Sequence, residues 1–396
     1  MEKSVSKMLN TTAVEIPQSG IRVIKDMSDG LSDVIHLEIG QPDFSVSPHV
    51  IVAAQEAQGL GYSGYCANIG LEGPRQAFCA RMKCDHSIDI SAEQVTTTVG
   101  ANGGLFNIFA AVVERGDEVL VPDPGYPNYS SAIALLGGVV VPYPLAISDN
   151  DMFFLDIDAM EKRITPKTKA IILNSPSNPT GWVATSEEIK EIVALVAKYG
   201  VYLISDEAYD HFVYTEGGHV SPLQYTMDDH IIGVYSCSKT YAMPGWRVGF
   251  TVSSPDLAKL FAKLQETYCG NTSTISQKAA EAALSGPQDC VTVMQKAYAD
   301  RLQATMQCCD ALGIEFRKPS GAFYMLLKVP SDVQRISSQL HAQKLVTETG
   351  VAVAPGSAFG MRGEEYLRIS LCKDAATIEE GLYRMNTYFQ NHPLKG

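Results

Sequence analysis

Between residues 94 and 252 the chain alternates short β-rich apolar runs with longer stretches whose apolar residues recur at helical spacing. The runs are Gln94–Val99, Glu118–Pro122, Val139–Pro142, Ala170–Leu173, Val201–Ser205, Ile231–Ser236 and Arg247–Val252. Helical stretches such as Leu105–Glu114, Ser130–Leu136 and Glu187–Tyr199 lie between them. The last opens on Thr185 with Glu188 three residues on, the spacing of a capping box, and then sets Ile189, Ile192, Val193, Leu195 and Val196 on one face. Strands alternating with helices imply βαβ units, hence an α/β fold with a mostly parallel sheet between helices. Such sheets bind ligands outside the carboxyl ends of their strands. After residue 255 the pattern becomes helix-rich, and later runs at Ala322–Val329, Val351–Ala354 and Leu367–Leu371 predict a second, smaller α/β unit. At 396 residues the chain is long enough for both.

The formal net charge of −13 disfavours nucleic acid as a partner, because binding there needs a cationic face. No apolar run approaches the roughly 20 residues that span a membrane. The polar start, MEKSVSKMLNTTAVEIPQSG, lacks the apolar middle of a secretory signal. Nine cysteines are scattered without a C-x-x-C pair, which reads as reduced thiols in a cytoplasmic protein. Eight histidines form no H-E-x-x-H or similar cluster, so no metal is expected.

The unusual polar residues collect just after the β-rich runs. In VYSCSKTYAMPGWRVGF (234–250) a run ends in Ser236, Ser238 and Lys239, and Arg247 follows. A lysine there, flanked by hydroxyls and a guanidinium, suits a phosphorylated aldehyde: the amine forms an imine, and the other groups hold the phosphate. A lone lysine is usually a solvated surface charge, but this segment is largely apolar. In ISDEAYDHF (204–212) Asp206 closes an apolar run, where it serves either as a helix cap or as a carboxylate against a pyridine nitrogen. Tyr209 can donate to the oxygen on such a ring. In LNSPSNPTG (173–181) Asn178 belongs to a turn or offers its amide to the same oxygen. In TTTVGANGGLFN (96–107) a glycine turn opens a helix, and the N–H groups of Gly100, Ala101 and Asn102 make an anion site.

These four segments, in this order, resemble the class I/II aminotransferases, pyridoxal-phosphate (PLP) enzymes of fold type I, in particular their prokaryotic aspartate/aromatic branch. The resemblance covers nearly the whole chain. LEIGQPDF (37–44) is similar to the family's early glycine motif and implies Gly40 near the substrate. YCANIGLEGPR (65–75) implies that Tyr65 reaches the PLP phosphate of a partner subunit, hence a homodimer with shared sites. PDPGYPNY (122–129) implies Tyr126 over the cofactor ring, and YLRISL (366–371) implies Arg368 on the substrate carboxylate beside Asn178. The resemblance further implies a PLP domain at 46–289, a small domain of 15–45 with 290–396, and an N-terminal arm at 1–14. It also implies that Lys239 holds PLP as a Schiff base and moves the Cα proton. An L-amino acid, aspartate-type or neutral/aromatic, would then give its amino group by a ping-pong course to a 2-oxo acid such as 2-oxoglutarate.

Asn102 stands where aspartate-using relatives often carry a lysine, which weakens the case for an acidic substrate. Trp182 reads as packing. GLGYSG (59–64) fits G-x-G-x-x-G, but a helix is expected before it at Val50–Gln58, so a dinucleotide site is rejected. Ser236 with Lys239 fits S-x-x-K and Ser148-Asp149-Asn150 fits S-D-N, the marks of a serine acyl-enzyme. The order is reversed and K-T-G is missing. Carbon–sulfur lyases and aminocyclopropane-carboxylate synthases resemble the same pattern, with a different outcome on the same cofactor. Transcription regulators with a similar sensor domain carry an extra DNA-binding domain, for which an acidic chain of this length offers little support.

Overall fold

A computed structural model describes residues 9–333 and 335–394. The first eight residues of the expected N-terminal arm therefore lie outside the described residues. The first strand, β1 (Ile35–His36), is short. Eight strands follow: β2 (Val95–Thr98), β3 (Glu118–Asp123), β4 (Val139–Ile147), β5 (Phe153–Leu155), β6 (Thr168–Asn174), β7 (Tyr202–Asp206), β8 (Ile231–Ser236) and β9 (Gly249–Val252). They form one sheet in the order β2-β9-β8-β7-β6-β3-β4-β5. The inner pairs are parallel, as the sequence pattern predicts. β9 runs antiparallel to both β2 and β8, and β5 antiparallel to β4.

The sheet is buried on both faces because its central strands put apolar side chains on both sides. Ile171, Leu173 and Leu203 join one core with Ile189, Ile192, Leu195 and Val196 of the helix Ser186–Tyr199. Ile172, Ile204, Ile232 and Val234, one residue out of step, join another with Leu105, Ile108 and Phe109 of the helix Gly100–Val112. Each such side chain contributes about 1.5–3 kcal/mol on burial. The capping box forms as expected: Thr185 Oγ1 accepts from the Glu188 N–H at 3.2 Å, and Glu188 Oε2 accepts from the Thr185 N–H at 2.7 Å. Gly200, at φ +63°, ends the helix in the left-handed region.

Register aligns the strand ends. Asn174 pairs with Asp206, Asp206 with Val234, and β8 runs on to Ser236. Gly249 faces Ser236 on one side and Thr98 on the other, so the ends of β2 and β8 meet at the start of β9.

The second sheet joins β10 (Phe316–Arg317), β11 (Tyr324–Lys328), β13 (Ala354–Pro355) and β14 (Tyr366–Ser370) in the antiparallel order β10-β11-β14-β13. β12 (Val351–Ala352) lies outside it and pairs in parallel with β1. The expected run Val351–Ala354 is thus split between two sheets. Leu367 and Ile369 point into a core with Ile24, Leu37 and Leu382. Residues 37–39 dock along the end of β14: the Ser370 N–H donates to the Leu37 carbonyl at 2.8 Å and its hydroxyl to the Ile39 carbonyl at 2.9 Å. The chain GLGYSG follows the helix Pro48–Gly59 and no strand, so the geometry of a dinucleotide loop is missing there. Among the described residues no helix is long and apolar enough to cross a membrane.

Candidate active site

A cavity of about 400 Å³ opens at the carboxyl ends of β6, β7 and β8, facing β14. Gly40, Ala101, Asn102, Tyr126, Asn178, Asp206, Tyr209, Ser236, Ser238, Lys239, Arg247 and Arg368 all line it. These residues come from segments up to 328 positions apart, counting from Gly40 to Arg368. Of the residues expected at the site, Gly100 and Tyr65 do not line the cavity. Gly100 stands directly behind the Arg247 guanidinium. Tyr65 is 95 % exposed, with its ring near Gly270, and does not turn toward this chain's own cavity.

Lys239 sits in the four-residue helix Cys237–Thr240, which Ser236 caps by accepting from the Ser238 N–H at 3.1 Å. The Lys239 ammonium donates to the Gly40 carbonyl at 2.6 Å. Burial, followed by the charges of Arg368 and Arg247, pulls its pKa down to about 8. Asp206 closes β7, 5 % exposed, and accepts from the Tyr129 hydroxyl at 2.6 Å and from the Ala208 N–H at 3.2 Å. Burial pushes its carboxyl up to about 6 against the pull of those two bonds. Tyr209 and Tyr324 share a hydroxyl hydrogen bond of 2.8 Å.

Arg368, 2 % exposed, is the largest fully buried side chain. Its Nη1 donates to Asn178 Oδ1 at 3.1 Å and its Nη2 to the Glu38 carbonyl. The guanidinium lies over the Tyr324 ring at 4.3 Å and near Phe359 at 4.9 Å, while its Nε, buried, has no partner. Asn178 is fixed in turn by Asn174, whose Oδ1 accepts the Asn178 N–H at 2.9 Å and whose Nδ2 donates to the Asp206 carbonyl at 3.0 Å.

The anion cradle depends on two glycines. A Cβ on Gly100, whose φ is +66°, would stand 2.8 Å from Arg247 Nη2. One on Gly249 would stand 2.9 Å from the Ala101 nitrogen and 2.6 Å from the Tyr235 carbonyl oxygen. Without them the guanidinium, the Ser236 and Ser238 hydroxyls and the helix N-terminus could not converge. Arg247 spends one donor on the Pro244 carbonyl at 2.8 Å and keeps the rest. An anion cradle, a buried carboxylate and a low-pKa amine around one cavity make a donor set that fits PLP.

Known proteins resemble this chain along nearly its whole length. The family model "Aminotransferase class I and II" matches residues 32–385. The chain is 35 % identical to an aspartate aminotransferase of Pyrococcus abyssi, over 95 % of this chain and 97 % of that one. It is 36 % identical to a probable N-acetyl-LL-diaminopimelate aminotransferase of Bacillus subtilis, over 96 % and 95 %. The solved aromatic aminotransferase of Pyrococcus horikoshii superimposes with a TM-score of 0.85 at 34 % identity, covering 93 % of this chain and 99 % of that one. This chain belongs to the class I and II aminotransferases. It is a PLP-dependent transaminase, moving an amino group between an amino acid and a 2-oxo acid.

Several lining residues escape a sequence reading. Tyr129 stands three positions after Tyr126 in PDPGYPNY, and only the fold turns its hydroxyl onto Asp206. Tyr324 closes on Arg368 from β11, the strand paired directly with β14. Arg22 and Lys25, on the helix Gly20–Ser28, reach the cavity mouth. No sequence signal marks them, because the helix is brought there by packing of the distant helix Ser338–Thr349.

Proposed function

We propose that this transaminase uses Lys239 as its cofactor-bearing base and Arg368 as its carboxylate clamp. The observation that carries the reading is the Lys239 amine: half-buried, lowered to about 8, and set in one cavity with Asp206 and Arg368. When bound, PLP supplies an electron sink for the carbanion left at Cα. Ser236, Ser238, Arg247 and the N–H groups of Gly100, Ala101 and Asn102 hold its phosphate. Asp206 keeps the ring nitrogen protonated, and Tyr129 orients that carboxylate. Tyr209 and Asn178 serve the ring oxygen, and Tyr126 covers the ring face. Arg368 grips the substrate carboxylate bidentately, with Asn178 and Gly40 beside it. Lys239, its amine lowered to about 8 and so about half uncharged there, would take the Cα proton and deliver it to the cofactor's aldehyde carbon.

The substrates we propose are an L-amino acid and a 2-oxo acid such as 2-oxoglutarate. Asn102 brings no charge to the distal end of the cavity, but Arg22 does. Lys25 is paired with Asp29, whereas Arg22 is exposed and lines the mouth. That supports acceptance of a second carboxylate as well as neutral side chains. We further read residues 46–289 as the cofactor domain and 15–45 with 290–396 as the small domain; each supplies most of one apolar cluster, and Ala208, Tyr209, Phe212 and Ala242 of the first pack into the cluster of the second. The exposed Tyr65 supports a homodimer in which each chain lends that hydroxyl to its partner. The nine free cysteines suit a cytoplasmic setting.

The test is to reduce the PLP-loaded enzyme with borohydride and find the tagged peptide by mass. An amino-acid panel then follows bleaching of the cofactor band in wild type and Lys239→Ala. A tag on Lys239, with bleaching only in wild type, is the expected result. A tag on another lysine refutes the assignment, and release of ammonia with each turnover favours the lyase reading.

A further inference from the structure

A second, much smaller cavity lies behind the wall that carries Lys239. It holds about 30 Å³, the share of one water in the liquid, and His86, Asp210, His211 and Thr240 line it. Ser236 lines both cavities, so the wall between them is one residue thick at that point. Tyr209 and Lys239 face the front. The residues that follow them in sequence, Asp210 and Thr240, face the back. On a helix successive side chains lie about 100° apart, so Lys239 and Thr240 cannot share a side.

The Asp210 carboxylate is held from three directions. Its Oδ2 meets His86 Nε2 at 3.0 Å, and its Oδ1 accepts from His211 Nδ1 at 2.8 Å and from the His211 N–H at 2.9 Å. The Thr240 hydroxyl reaches Oδ1 at 3.5 Å, the outer limit of a hydrogen bond. The other His211 nitrogen faces Asp85 at 3.2 Å, and Asp85 meets Arg81 at 3.0 Å. The His86 ring touches His219 at 5.5 Å, which is paired with Glu207 at 2.6 Å. Charges of alternating sign thus run Arg81, Asp85, His211, Asp210. Burial would lower His211, but Asp210 and Asp85 override it and raise it to about 10. Burial would raise Asp210, but His211 and His86 override it and hold it well below the ordinary carboxylate range. Ligand atoms of His86, Asp210 and His211 lie within 4.8 Å of one another. A metal would nevertheless have to displace protons from an imidazolium that two carboxylates hold, so the cluster works as an ion network.

We propose that Asp210, clamped between His86 and His211, is a positioning residue that sets the reach of Lys239 from behind the active-site wall. The clamp joins the loop of Asp206 and Tyr209 to the helix of Lys239 and touches no part of the substrate. Its loss therefore slows proton transfer without weakening substrate binding. The inference rests on Lys239 being the cofactor-bearing lysine.

The test uses PLP-loaded Asp210→Ala, Thr240→Val and Thr240→Ser. Borohydride tagging first identifies the cofactor-bearing lysine in each. Single-turnover rates and a pH titration of the cofactor absorbance follow. Asp210→Ala is expected to lower kcat about tenfold with KM within about twofold of wild type, because misplacement near 1 Å costs up to about a hundredfold. The titration midpoint should shift as well. Thr240→Val should lose about threefold and Thr240→Ser regain it. A tag on Lys239 with wild-type kcat and midpoint in Asp210→Ala overturns the clamp alone. So does a rise in KM with kcat unchanged. If Asp210→Ala does not fold, wild-type kcat and midpoint in Thr240→Val overturn it. A tag elsewhere in wild type overturns both the clamp and the assignment of Lys239.

Discussion

In the cofactor-free protein Asp206 has no cation against it, and burial raises its carboxyl from 3.8 to about 6. The folded chain then binds more protons than the unfolded one between those values, so stability falls as pH rises through the window. Above pH 6 the full cost is about 3 kcal/mol, at about 1.36 kcal/mol for each tenfold step in acidity. Asparagine is neutral throughout and keeps the hydrogen bonds: its oxygen accepts the Ala208 N–H, and its amide can donate to the Tyr129 hydroxyl. Asp206→Asn should therefore stabilise the cofactor-free protein at pH 7.5 by about 1–3 kcal/mol, once weaker hydrogen bonding is subtracted. The gain should shrink from pH 6 downward and vanish near pH 4. Urea unfolding followed by tryptophan fluorescence at pH 7.5, 6, 5 and 4 measures it. A less stable variant at pH 7.5, or a difference that ignores pH, refutes the reasoning. Saturating PLP should reverse the order, since a ligand adds stability in proportion to its affinity and the variant lacks the anionic partner.

Arg368→Lys should lower kcat/KM about a hundredfold or more, roughly 3 kcal/mol, because an ammonium cannot make the paired bonds or stack flat on Tyr324. Steady-state kinetics with any accepted amino acid reads this. Arg22→Ala should raise KM about fivefold for dicarboxylic substrates, about 1 kcal/mol for an exposed charge, and leave neutral substrates unchanged. Equal effects on both would refute Arg22 as a reader of the distal carboxylate. Gly100→Ala should weaken PLP binding about tenfold or more in equilibrium dialysis, because the left-handed φ costs about 1–3 kcal/mol and the new Cβ presses on Arg247.

The buried parallel strands were the most legible part of the molecule. The run Ile231–Ser236 matches β8 to the residue, because it is bounded by polar turns. The helix predicted at Leu105–Glu114 begins five residues earlier, at Gly100. Its first turn is glycine-rich and carries no apolar face, so periodicity is silent where the anion site lies. β1 and β10, of two residues each, are too short for any pattern, and their pairing is set by partners hundreds of residues away or across a turn. The direction of β9 was hidden as well, since a fully buried strand reads alike in either sense. At the site, residues within compact motifs were visible because spacing carries their chemistry. The backing of those motifs was not. Tyr129 on Asp206, Tyr324 on Arg368 and the His86–Asp210–His211 network depend on tertiary approach, and a tyrosine or histidine in an ordinary helix or strand announces none of it.

The pairing of β1 with β12 joins Ile35 to Val351. During synthesis the early strand must wait for 316 further residues, about 15 to 60 s at 5–20 residues per second. For the last part of that interval, once Gly249 has been made, the proposed phosphate cradle and Asp206 exist on the nascent chain, while Leu37 to Gly40 still have nothing to dock against. The arginine clamp, at Arg368, emerges later still. A growing chain therefore completes the proposed cofactor cradle before its proposed carboxylate clamp, and a chain halted before Val351 would carry that cradle without the floor that Leu37 to Gly40 supply.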